Sequence, residues 1–210
     1  MRLEAFPAPP FYQNAYLLAA DTGQAAIIDP GDGTEALVDR ARALDLDVVS
    51  ILLTHAHLDH ISGVALARRT FDAPVHLHPA DRFLYESIVE QGRLFGLEMS
   101  AQPAVDRELA AGLIVNIGPL AIRVHETPGH SPGGVVFEIR EPDGHITLLT
   151  GDTLFAGSIG RTDLPGGDRT TLVNSIRRVL LVFGDDVPAY PGHGEPTTIG
   201  NERAGNPFLQ

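Results

Sequence analysis

The order of predicted elements describes an α/β chain built on two β-sheets with helices outside them, not a single doubly wound parallel sheet. Three observations lead there. Strand candidates outnumber helix candidates, four strands follow one another between residues 113 and 149, and the order never settles into a clean βαβ alternation.

Taken along the chain, Ala15 to Ala20 and Ala25 to Asp29 flank the turn signal Asp21-Thr22-Gly23 and read as a hairpin. Asp29-Pro30-Gly31-Asp32-Gly33 ends it. Thr34 and Glu35, followed by Leu37, Val38, Ala41 and Leu44 at helical spacing, predict a helix stopping near Asp45. Val48 to Leu53 is a continuous apolar run, the pattern of a strand buried on both faces, and it delivers the chain to His55. Val64 to Arg69 reads as helix, Pro74 to His78 as a short strand and Asp81 to Glu90 as helix, while Gln91 to Pro103 carries no clear pattern. Leu113 to Ile117, Leu120 to His125, Val135 to Arg140 and Ile146 to Leu149 are strand candidates, punctuated by Gly118-Pro119, Pro128-Gly129 and Asp143-Gly144. Leu172 to Val182 is the last helix, and Val187 to Tyr190 the last strand.

Composition narrows the function classes. The chain has 210 residues, 43% hydrophobic and 20% charged, without repeat, low-complexity tract or linker, so residues 1–210 read as one globular domain. No apolar run is long enough for a membrane span. Pro7, Pro9 and Pro10 interrupt the N-terminal stretch where an export signal needs its apolar core, so a cytoplasmic location is expected. A net charge of −12 opposes binding to nucleic acid and to anionic membrane. The absence of Cys removes disulfides, thiolate metal sites and cysteine nucleophiles together, leaving His, Asp and Glu as ligands for any metal.

The strongest chemical signal is Thr54-His55-Ala56-His57-Leu58-Asp59-His60. In extended backbone His55 and His57 point to the same side, because side chains alternate with period two. Where the chain turns into a helix, Asp59 and His60 leave its first turn in a new direction, so one short loop presents two pairs of ligands. Three more candidates each follow a strand and sit beside Gly or Pro: His130 in Thr127-Pro128-Gly129-His130, Asp152 in Thr150-Gly151-Asp152-Thr153, and His193 in Pro191-Gly192-His193-Gly194. Alone, each reads as a turn or structural residue. Together they describe a site at the strand-end rim of a sheet. Imidazole and carboxylate without thiolate suit Zn, Fe or Mn. Seven donors exceed the four that close a structural zinc site, leaving positions for water and substrate.

These motifs, with Gly151-Asp152-Thr153-Leu154-Phe155, Gly160-Arg161-Thr162-Asp163 and the closing Thr197-Thr198-Ile199-Gly200 through Asn206-Pro207-Phe208, resemble the metallo-β-lactamase superfamily, and within it the glyoxalase II-like (hydroxyacylglutathione hydrolase-like) branch. The resemblance covers nearly the whole chain. It implies an αββα sandwich of two mixed β-sheets flanked by helices, with a metal pair at one edge. It further implies that His55, His57 and His130 hold the first of two divalent metal ions, that Asp59, His60 and His193 hold the second, and that Asp152 bridges both. Asp59 and Asp152 are then the carboxylates closest to the chemistry. Such a pair activates a water molecule and polarises a carbonyl. A thiolate leaves without a general acid because its conjugate acid has a pKa of about 8.5. Hydrolysis of a small thioester, such as S-D-lactoylglutathione or a related hydroxyacyl thioester, is therefore the expected reaction. Arg161 falls where basic residues of glyoxalase II hold the glutathione carboxylates, although pairing with Asp163 explains it equally.

Two departures bear on the substrate. The chain reaches only Gln210 after His193, without the helical C-terminal domain of glyoxalase II, and Glu195 stands where that family has Tyr. Competing readings are a mononuclear iron persulfide dioxygenase using His55, His130 and Asp152, and a metal-binding domain without turnover. His76, His78, His125 and His145 are read as structural or exposed, and the Arg68-Arg69 and Arg177-Arg178 pairs as solvated helix faces.

Overall fold

The computed structural model describes residues 1–210. The chain forms two units, one of residues 1–109 and 117–119, the other of residues 110–116 and 120–210. Each carries its own six-stranded mixed sheet and its own apolar core.

In the first unit the sheet order is β1 (Arg2–Ala8), β2 (Gln13–Ala19), β3 (Gln24–Ile28), β4 (Asp47–Leu52), β5 (Val75–Leu77) and β6 (Arg107–Glu108). The β1–β2–β3 meander is antiparallel, and β3, β4, β5 and β6 run parallel to one another. Parallel neighbours need crossovers, which α1 (Thr34–Ala43) supplies between β3 and β4. Leu37, Val38 and Ala41 are buried, the predicted face of that helix, while Glu35 in its first turn and Arg40 and Arg42 in its last complement its dipole. Between β4 and β5 lie α2 (Leu58–Ile61) and α3 (Val64–Phe71). β2 is buried at every residue, and β4 is buried from Ser50 to Leu52, as its apolar run predicts.

Two details differ from expectation here. Residues 81–90 form two short helices, α4 (Arg82–Glu86) and α5 (Ile88–Leu94), which meet at Ser87. Strand β1 was not predicted. It lies at the sheet edge with an exposed or half-exposed pattern, and its Pro7 sits where an edge strand tolerates a missing donor.

In the second unit the order is β14 (Thr197–Thr198), β13 (Pro188–Pro191), β10 (Ile146–Gly151), β9 (Val135–Arg140), β8 (Leu120–Glu126) and β7 (Ile114–Ile117). β10 pairs parallel with β13, so the C-terminal ends of these two strands emerge on one edge. Between them come the small hairpin β11 (Leu154–Phe155) and β12 (Ser158–Ile159), and α6 (Arg169–Ser175), which starts earlier than predicted because Asp168 caps it through a 2.6 Å bond from the Thr171 N–H. A π-type turn over Ile176–Leu180 continues α6. α7 (Ile199–Gly205) closes the chain, with Leu172, Ile176, Leu180 and Ile199 buried in one cluster. No helix is long and apolar enough to cross a membrane.

Candidate metal centre

The first unit gathers its ligand candidates where β4 ends. His55 and His57 follow the strand, and His57 enters α2 in extended conformation with φ −71° and ψ 150°, so Asp59 and His60 fall in the first helical turn as predicted. His55, His57 and His60 are buried at 2%, 7% and 0% exposure. Their rings are close: His55 to His57 at 4.8 Å between centroids and His55 to His60 at 4.0 Å. Asp29, His55 and His60 each offer a ligand atom within 4.8 Å of the others.

Asp29, read from sequence only as the end of the hairpin, orients this set. Its Oδ1 accepts from the Thr54 backbone N–H at 2.6 Å, and its Oδ2 from the Thr54 hydroxyl at 2.6 Å and from His60 Nδ1 at 2.9 Å. With its carboxylate occupied by these donors, Asp29 acts as an orienting partner for the histidines. Because a carboxylate can only accept, the proton of His60 sits on Nδ1 and the lone pair on Nε2, which lies 3.8 Å from Asp59 Oδ2. The Thr54 hydroxyl, already donating to Asp29, accepts from His55 Nδ1 at 3.1 Å and fixes the same tautomer there. The signal for Asp29 was present: an acid at a strand end before Pro-Gly, the same local grammar as Gly151-Asp152. On the neighbouring loop, burial pushes the Asp32 carboxyl upward; Ser62's hydroxyl opposes this and Asp59's charge adds to it.

The second unit brings together His130, Asp152 and His193. His130 follows β8, Asp152 follows β10, and His193 follows β13, held beside β10 by the Gly192 N–H to Gly151 C=O bond of 2.8 Å. Asp152 Oδ2 lies 3.5 Å from His130 Nε2 and 3.7 Å from His193 Nε2. His130 Nδ1 is 2.8 Å from the Arg161 carbonyl, an acceptor, so its lone pair also sits on Nε2, facing Asp152. Gly160 makes that return of the chain possible: a Cβ there would run into the Asp152 carbonyl and stand 3.0 Å from His130 Nδ1. Gly129, at φ +131°, packs directly on Leu172 of α6, where no other residue fits.

Each set therefore points an imidazole lone pair at a carboxylate oxygen 3.5–3.8 Å away. Two acceptors so placed repel unless a proton or a cation lies between them. The donor chemistry and this arrangement fit divalent metal ions.

The Arg161 side chain is committed elsewhere. It is exposed and forms a two-pronged ion pair with Asp163 at 2.8 and 2.7 Å, which holds the Asp163 carboxyl down to about 2. His125 hydrogen-bonds the buried Glu138 at 2.7 Å. His76 is 2% exposed, and burial pushes its pKa down to about 4. His78 caps the turn at Pro79 by accepting from the Ala80 N–H. None of these three joins either ligand set.

The family model described as the metallo-β-lactamase superfamily matches residues 8–193, and the chain belongs to that superfamily of metallo-hydrolases. Its fold is the metallo-β-lactamase fold, two mixed β-sheets flanked by helices. Among individual proteins, the chain is 40% identical to hydroxyacylglutathione hydrolase GloC of Haemophilus influenzae, over 100% of this chain and 98% of that protein. It is similar to the crystal structure of BLEG-1 B3 metallo-β-lactamase, with 39% identity, a TM-score of 0.91 and full coverage of both chains. It is also similar to TTHA1623 in a di-iron-bound form, with 40% identity and a TM-score of 0.86 over 98% of this chain and 100% of that one.

Proposed function

We propose that this chain is a metal-dependent hydrolase of small thioesters, with S-D-lactoylglutathione or a related hydroxyacyl thioester as substrate. The observation that carries the reading is the full-length similarity to a protein named hydroxyacylglutathione hydrolase, in a chain that has all seven predicted donors. His55, His57 and His130 would hold one divalent ion and Asp59, His60 and His193 the other, with Asp152 serving both; Zn, Fe and Mn all suit this set. Once bound, the ions supply a water molecule acidic enough to ionise near neutral pH and a Lewis acid for the carbonyl.

The residues of the chain do the rest. Asp29 and the Arg161 carbonyl keep the Nδ1 protons of His60 and His130 in place, so each ring presents Nε2 to its ion. Asp59 and Asp152 would offset only part of the cationic charge, so the site would stay net positive and electrophilic. A thiolate departs without needing a proton, which suits a site built from metal-holding imidazoles and carboxylates. The location proposed is cytoplasmic, and the partner a small molecule.

The test is hydrolysis of S-D-lactoylglutathione and of other hydroxyacyl thioesters by metal-loaded protein, beside Asp59→Ala and His130→Ala, with a chromogenic β-lactam in parallel. Thioester turnover that both substitutions abolish supports the reading. Turnover of the β-lactam alone, or wild-type rates no higher than those of the variants, sinks it.

A further inference from the structure

Strand β4 ends at Leu52, and the last backbone bond to its neighbour is the Leu53 N–H to the His76 carbonyl. The next four residues, Thr54 to His57, lie outside any strand, with a bend at Thr54 and extended backbone at His57, although two of them must hold imidazoles in fixed directions. The Thr54 N–H is met by Asp29, and the peptide groups around Ala56 are met by side chains from the stretch between β5 and β6. Gln91, on α5, donates from Nε2 to the Ala56 carbonyl at 3.1 Å and accepts at Oε1 from the Leu58 N–H at 3.1 Å. Its Nε2 also donates to the Leu84 carbonyl at 2.7 Å, which pins the amide to α4. Asp81 has 0% exposure, and its Oδ2 accepts from the Ala56 N–H at 3.1 Å.

We infer that Gln91 and Asp81 are positioning residues for the metal ligands: together they replace the missing strand, gripping both peptide groups of Ala56 so that His55 and His57 stay on one side. This rests on the metal reading proposed above. A primary amide suits the task because it offers one donor edge and one acceptor edge, the same pair that a neighbouring strand presents. Asp81 offers a carboxyl oxygen as the acceptor for the Ala56 N–H, the role a strand carbonyl would otherwise fill. The bonds of Gln91 go to the Ala56 carbonyl, the Leu58 N–H and the Leu84 carbonyl, so its effect on the ligands passes through the geometry of the loop.

The experiment compares zinc binding by the full chain, wild type and Gln91→Met, by competition with a chelating dye, and melting temperatures with and without zinc. Loss of the supporting contacts of a metal ligand typically weakens affinity 10–100-fold. Gln91→Met is expected to bind zinc about 10–100-fold more weakly and to show a smaller zinc-induced rise in melting temperature. Asp81→Asn, which keeps an acceptor for the Ala56 N–H, is expected to hold zinc better than Asp81→Ala. A Gln91→Met chain with wild-type zinc affinity overturns the inference, and so do melting temperatures that fall in parallel with and without zinc. If Gln91→Met does not fold, Gln91→Glu keeps the acceptor for Leu58 and removes the donors: weakened zinc binding supports the inference and wild-type binding overturns it. Absence of zinc binding by the wild-type chain strikes the metal reading itself, a different outcome from equal binding by wild type and variants.

Discussion

Replacing Asp29 by Asn leaves the shape of the side chain unchanged and removes one acceptor. The backbone there has φ +49°, a left-handed conformation that Asn tolerates, so the substitution isolates hydrogen bonding from backbone strain. Asp29 accepts from the Thr54 N–H, the Thr54 hydroxyl and His60 Nδ1, at 2.6, 2.6 and 2.9 Å. With the Asn carbonyl at the Thr54 N–H, its amide NH2 faces His60 Nδ1. The imidazole must then move its proton to Nε2, the nitrogen the metal needs. A bond to a charged group contributes about 1.5–3 kcal/mol, and one such bond is lost outright, so the metal-free protein is expected to lose about 2 kcal/mol. Metal affinity is expected to fall about 10–100-fold, or about 1.4–2.7 kcal/mol. Urea unfolding of metal-stripped protein gives the first quantity and zinc competition the second, while the nitrogen chemical shifts of His60 report which nitrogen carries the proton. Stability within about 0.5 kcal/mol of wild type together with unchanged zinc affinity refutes the role given to Asp29.

Three further outcomes follow from the same geometry. His76 is buried with a pKa of about 4, below the ordinary 6.5, so as pH falls the unfolded chain takes up the proton first. Stability should rise with pH between about 4 and 6.5, by about 3 kcal/mol at the limit, and His76→Phe should flatten that slope in unfolding measured at several pH values. Gly160→Ala should lower both melting temperature and metal content, at a cost of about 1–3 kcal/mol, because the added carbon meets the Asp152 carbonyl. Arg161→Ala removes an exposed ion pair and should leave the melting temperature unchanged; a raised KM for lactoylglutathione with unchanged kcat would mark Arg161 as a substrate contact, and unchanged kinetics would leave it only its pairing with Asp163.

The proposed ligand residues stand out in the sequence because chemistry and punctuation coincide in them. His55, His130, Asp152 and His193 each follow a strand and stand in or beside Gly, Pro or Thr, and the alternation of His55 and His57 needs only extended backbone. Asp29 shares that grammar but was masked, because Asp-Pro-Gly-Asp-Gly is fully explained as a turn. Gln91 and Asp81 left no local trace: they act on the backbone of a loop 25 to 35 residues away in sequence, and only tertiary structure brings them there. The same holds for Glu202 and Asn206, buried side chains of the terminal segment that clasp the β11–β12 hairpin through the Gly157 N–H and the Ser158 carbonyl. Among the strands, those with buried apolar faces were found to within a residue or two. The edge strand β1 and the two-residue strands β6, β11, β12 and β14 were not, because a half-exposed or very short strand has no pattern to read.

If the seven proposed side chains serve a pair of cations, the number of ions bound per chain must be two. Metal content of the saturated protein, determined by elemental analysis against protein concentration, is expected to be two divalent ions per chain for the wild type, with Asp152→Ala losing metal and thioester hydrolysis together. One ion per chain at saturation, with iron and oxygen uptake on a persulfide substrate, would contradict a two-metal hydrolase.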